Sequence, residues 1–130
     1  MNKSEELLET WCSCNGWSYE RIPEDSARTP DYRINISGIP LYAEVKEIVA
    51  NEEERRVIDQ LSERGWSDPF GEEPGKTIRE KIKESYEQIK RFTKVDHCSG
   101  VLVLYNNSGI DGLGRLDHYH VLTGMFWNLR

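Results

Sequence analysis

The chain has little of what would mark a membrane protein, a secreted scaffold or a nucleotide-cradling enzyme. No apolar run approaches the ~20 residues that a membrane helix needs. Met1-Asn2-Lys3-Ser4-Glu5-Glu6 lacks the apolar stretch of a signal peptide, so the expected setting is cytoplasmic with no membrane partner. Three cysteines, an odd number, argue against a disulfide framework. Zinc ligands are also badly spaced. Cys12-x-Cys14 is too tight for a knuckle, and His97-Cys98 and Asp117-His118-Tyr119-His120 read as buried thiols and surface imidazoles. Gly109, Gly112 and Gly114 have neither the lysine nor the strand–helix context of a phosphate loop. There is no internal repeat, linker or low-complexity tract.

What is present suits one domain. A chain of 130 residues supports a single core, and 37% hydrophobic with 31% charged residues suits a water-soluble fold. The net charge of −6 counts against non-specific, tight binding of DNA. Its distribution is uneven: residues 1–46 carry −3, 47–75 carry −6, 76–94 carry +4 and 95–130 carry −1. One basic segment therefore lies inside an acidic chain, and bound cations would neutralise part of any carboxylate site.

Ser4 reads as the N-cap of a first helix with Leu7, Leu8, Trp11 and Cys12 on its apolar stripe, ended by Asn15-Gly16. Trp17, Tyr19 and Arg21-Ile22 predict a first strand. Ile34 and Ile36 alternate with polar neighbours, Ser37-Gly38 turns the chain, and Leu41 to Glu47 resumes the period-two pattern, which predicts a β-hairpin. Residues 49–75 read as an insertion, with a short amphipathic helix over 52–61 and a loop tacked down by Trp66 and Phe70. Lys76 to Lys94 predicts a helix with Ile78, Ile82, Ile89 and Phe92 on one face and Ser85 and Tyr86 between them. Val101 to Tyr105 reads as a strand buried on both faces. Residues 110–130 suit a terminal helix, or a strand then a helix. The order α-β-β-β-α-β implies an α/β fold, a mixed sheet flanked by helices.

The chemistry concentrates in the hairpin. Alternation puts Glu44 and Lys46 on one face of their strand. With the turn near Gly38, pairing brings Asp31 beside Glu44. Two carboxylates and one amine then converge on a patch suited to a hard divalent cation and an oriented water.

Pro30-Asp31 followed by Glu44-Val45-Lys46 resembles the signature of the PD-(D/E)XK nuclease superfamily, and the order of elements over the first two thirds of the chain resembles its restriction-endonuclease-like core. The resemblance implies a single nuclease-like domain over 1–130 that hydrolyses phosphodiester bonds with Mg²⁺ or Mn²⁺. In that reading Asp31, Glu44 and the Val45 carbonyl hold the metal, and Lys46 orients the attacking water. Glu5, on a first helix like the family's, adds a ligand, with Glu6 and Glu9 as competitors. Arg79, Lys83 and Gln88 of the basic helix contact nucleic acid, DNA more than RNA. A homodimer presenting two sites to two strands is a further implication. The bland counterpart is a solvated charged hairpin and, at the level of the protein, a non-catalytic binding or regulatory module of the same fold.

Overall fold

Asn2, not Ser4, caps the first helix. In the computed structural model, which describes residues 1–25, 28–68, 73, 75–108 and 125, the Asn2 side chain accepts the Glu5 amide and the Glu5 carboxylate accepts the Asn2 amide. This reciprocal box satisfies two donors that the first helical turn leaves open. Ser4 is instead buried, with its hydroxyl donating to Asn2 Oδ1 at 2.6 Å. The helix, α1 (Lys3–Cys14), is followed by β1 (Ser18–Arg21), β2 (Tyr32–Ile36), β3 (Ile39–Val49), α2 (Glu52–Arg64), α3 (Lys76–Asp96) and β4 (Ser99–Asn107). The strands form one open, mixed four-stranded sheet in the order β1-β2-β3-β4, with β1–β2 and β2–β3 antiparallel. None of the helices among the described residues is long and apolar enough to cross a membrane.

The chain divides into two compact units, residues 1–46 with 83–105, and residues 47–82 with 106–130. In the first, Leu8 and Cys12 of α1 form a buried cluster with Tyr32, Ile34 and Ala43, against which Trp17, Leu41, Val45 and Val103 pack. The stripe of α1 is narrower than its sequence suggests: Leu7 is 40% and Trp11 52% exposed. Trp11 meets Trp17 edge to face at 4.8 Å near the surface. Alternation along β3 sends Leu41, Ala43 and Val45 to the α1 side, and Tyr42, Glu44 and Lys46 to the other. There Tyr42 meets Phe92 of α3 edge to face at 5.2 Å and donates its hydroxyl to Asp96. The β2–β3 turn is built by Ser37 (φ 51°) and Gly38 (φ 86°), the two-residue geometry whose twist matches a right-handed hairpin.

Two further expectations change. Ile82 and Tyr86 of α3 are exposed, while Ser85, not an apolar residue, is buried in line with Ile78. β4 is half-buried rather than buried on both faces, because it lies at the sheet edge among the described residues. α3 comes close to β4 at Gly100, where an added Cβ would lie 2.2 Å from Ile89 Cδ1 and 3.2 Å from Cγ1. Gly100→Ala is expected to destabilise the chain by about 1–3 kcal/mol. Ile89→Val removes the clashing methyl, so urea unfolding of the double variant should recover part of the loss. Strict additivity of the two changes would refute the contact.

In the second unit the residues read as an insertion hold α2, longer at its C-terminal end than its apolar pattern suggests. Asn51 and Glu54 repeat the capping box, and Gly65 (φ 77°) closes the helix in the left-handed conformation. Trp66 lies at the surface of this unit. It is 59% exposed and covered by the Arg64 guanidinium, 3.5 Å from its ring centre. Asp68 bonds twice to Gln60 at 2.9 Å. Phe70 and the terminal element expected over 110–130, including His118 and His120, lie outside the described residues.

Candidate active site

The site grows from the last step of the hairpin. β2 and β3 pair Tyr32 with Ala43, and one step onward brings Asp31 abreast of Glu44. The Asp31 backbone is held from both sides: its amide donates to Ala43 at 3.1 Å, and its carbonyl accepts the Ile22 amide at 2.9 Å. Pro30, fully buried and without an N–H, ends the ladder there. Asp31 Oδ2 then accepts the Val45 amide at 2.8 Å, so the side chain serves as an acceptor for the neighbouring strand.

Glu44 is only 4% exposed. Its Oε1 lies 3.1 Å from Lys46 Nζ, two residues along the same face. Its Oε2 is buried with no hydrogen-bond partner among the described residues. A buried acceptor left unpaired costs roughly 1–3 kcal/mol, more when charged. Burial pushes the Glu44 carboxyl above its ordinary range and the nearby Asp31 charge adds to this, while Lys46 and, more weakly, the Asp31 backbone amide oppose it. Asp31 is raised for the same first reason; Glu5 adds to the rise, and the Val45 amide, Lys46 and Arg21 counter it. Both carboxyls thus resist ionising, chiefly through burial, a situation that a cation beside them would relieve.

Of the three acids of α1, only Glu5 lines the same cleft. Its Oε2 accepts the Asn2 amide at 3.0 Å and Arg21 Nη2 at 3.1 Å. Glu9 turns instead to the Tyr32 hydroxyl at 2.7 Å and to Arg21 at 3.7 Å, and Glu6 pairs with Lys3 at the surface. The cleft, about 500 Å³, is bordered by Asp31, Glu44, Val45 and Lys46 on the strands and by Gln88 on α3. Gln88 reaches it because Tyr42, Glu44 and Lys46 face the side that α3 covers. Lys83 is exposed on α3 and is not among the residues lining the cleft. Arg79, in the second unit, pairs with Glu73 at 2.9 Å.

Sequence reasoning passed over Arg21 and Arg28. Arg21 clasps two acids of α1 and lies 5.6 Å over the Tyr32 ring. No local pattern links positions sixteen residues apart; only the β1–β2 register, which pairs Arg21 with Tyr32, sets it against the helix. Arg28 lines the cleft from the loop before Asp31.

Among the described residues, no three His, Cys, Asp or Glu side chains group closely enough to cage a metal. Mg²⁺ does not require a cage: it keeps several waters and takes one or two carboxylates. The unpaired Glu44 Oε2 beside Asp31 fits that demand, with the Val45 backbone adjoining. Such an arrangement can bind a hard cation and place an ammonium group beside it. No protein-family model, curated protein or solved structure matches the chain.

Proposed function

We propose that this chain is a metal-dependent phosphodiester hydrolase acting on nucleic acid, DNA before RNA, of the PD-(D/E)XK kind. The observation that carries the reading is the buried, unpaired Glu44 Oε2 in a cleft shared with Asp31 and Lys46. Asp31 and Glu44 would hold Mg²⁺ or Mn²⁺, with the Val45 carbonyl and Glu5 as further candidates. A bound ion would polarise the phosphate and lower the pKa of water. Asp31 is pre-positioned for its part by the Val45 amide, which pins one carboxylate oxygen. Lys46, with its side chain 23% exposed, keeps its ammonium at the cleft, where it orients the water and offsets charge developing on the phosphate. Gln88 supplies an amide for the substrate on the α3 side.

The same Lys46–Glu44 pair would also suit a non-catalytic module, since it already compensates half of the buried carboxylate. Two measurements separate the readings. Isothermal calorimetry with Mg²⁺ and Mn²⁺ should show binding that Asp31→Ala abolishes. Cleavage of supercoiled plasmid, branched DNA and structured RNA should fall about 10²–10³-fold or more in Asp31→Ala and Lys46→Ala, with circular dichroism showing both folded. Cutting that survives both substitutions would expose a contaminant or a misplaced site, whereas no cutting by any form, together with no metal binding that depends on Asp31, would leave the binding module standing.

A further inference from the structure

The cleft is acid-rich for a site that receives a polyanion. Glu5, Glu24, Asp25, Asp31 and Glu44 line it against Arg28 and Lys46, five acids to two bases. Lys46 is engaged by Glu44, and neighbouring Arg21 is engaged by Glu5 and Glu9. Arg28 is exposed, and its charge reaches as far as Glu87 on α3. Duplex DNA carries one charge per ~1.7 Å of axis, with both strands contributing. A duplex in this cleft would therefore press its second row of phosphates toward the exposed Glu24 and Asp25. A single strand brings half that charge density and is flexible enough to turn its phosphates away from those acids. The cleft volume of about 500 Å³ falls in the ~300–1,000 Å³ range of pockets that enclose one small ligand. The major groove of a B-form duplex alone is about 12 Å wide.

We propose that the cleft accepts a single nucleic-acid strand, one nucleotide in the cleft at a time, and does so only after a divalent cation has offset its carboxylates. Arg28 grips a phosphate and Gln88 bonds the nucleotide, while Glu24 and Asp25 turn away a second strand. This specificity rests on the hydrolase reading of the same site.

The test is fluorescence anisotropy with a labelled ten-nucleotide DNA strand, the RNA strand of the same sequence and the DNA duplex, each with Ca²⁺ or with EDTA. Ca²⁺ brings the charge of Mg²⁺ with a looser geometry. One single strand should bind at least about tenfold tighter than the duplex, EDTA should weaken it by a similar factor, and the salt slope should report only about one or two phosphates. Whichever single strand binds tighter, DNA or RNA, assigns the sugar and upholds the proposal. Arg28→Ala should weaken single-strand binding about fivefold or more, and Glu24→Lys should raise duplex affinity more than single-strand affinity. Equal or tighter binding of the duplex, binding indifferent to Ca²⁺, or no binding of any strand overturns the proposal. Duplex preference with Asp31-dependent metal binding intact sinks the strand specificity alone. Loss of that metal binding sinks the hydrolase reading beneath it.

Discussion

Asp31→Asn is expected to raise the melting temperature of the metal-free protein at pH 8 while removing its response to Mg²⁺. The folded protein holds the carboxyls of Asp31 and Glu44 above their ordinary values of 3.8 and 4.5, chiefly through burial. A carboxyl with a raised folded pKa binds its proton more tightly in the native state than in the unfolded one. Its contribution to stability is therefore greatest at acid pH and declines as pH climbs from those ordinary values through the raised ones. Asparagine has no charge to bury, and its Oδ1 can still accept the Val45 amide. Single stabilising substitutions commonly contribute about 0.5–2 kcal/mol, which is several degrees in a domain of this size. The advantage of the variant over wild type should widen between an acid reference pH below the ordinary value of 3.8 and pH 8. Wild type should gain about 2.7 kcal/mol when Mg²⁺ stands at roughly 100 times its dissociation constant, and the variant nothing. Calorimetric scans at both pH values, with and without Mg²⁺, read all of this together. A variant less stable at pH 8, with a gap that does not change with pH, would show that the carboxyls are not in conflict.

Tyr32→Ala should be the most damaging single change in the first unit. Tyr32 is fully buried, meets Tyr19 at 6.2 Å, lies under Arg21 and gives its hydroxyl to Glu9. Truncating a buried aromatic costs about 3–5 kcal/mol. Tyr32→Phe keeps the ring and loses a hydrogen bond to a charged group, worth about 1.5–3 kcal/mol. Because Asp31 is the next residue, Tyr32→Ala should also weaken Asp31-dependent metal binding, whereas Tyr32→Phe should leave it nearly intact. Denaturant midpoints at constant slope, with calorimetric titration of the folded variants, check both claims. Equal losses in the two variants would place the energy in the hydroxyl and not in the ring.

The hairpin that carries the site was legible because its signals are local. Period-two alternation and a Ser-Gly turn together bring Asp31 beside Glu44 and set Lys46 two residues along the same face. The misreadings arose where local signals compete. Asn2 and Ser4 are both good caps, and the reciprocal bond with Glu5 selected Asn2. Leu7 and Trp11 had the spacing of a buried stripe, but only Leu8 and Cys12 of that stripe join the buried cluster. The basic stripe of α3 offered several partners for a phosphate, yet the amide Gln88 is the one that lines the cleft.

The sequence by itself determined the elements, the hairpin register and the convergence of two acids with a lysine, because turn chemistry and strand periodicity act over a few residues. Only the tertiary structure decided which acid of α1 joins them, that Arg21 restrains it, and that Gln88 rather than Lys83 closes the cleft. It also decided that Glu44 is buried with one oxygen unpaired. Those outcomes depend on which faces of α1 and α3 meet the sheet, and that is set by the shape of the buried cluster around Tyr32, Ala43 and Leu8. Packing of this kind couples residues far apart in the chain, and no local pattern records it.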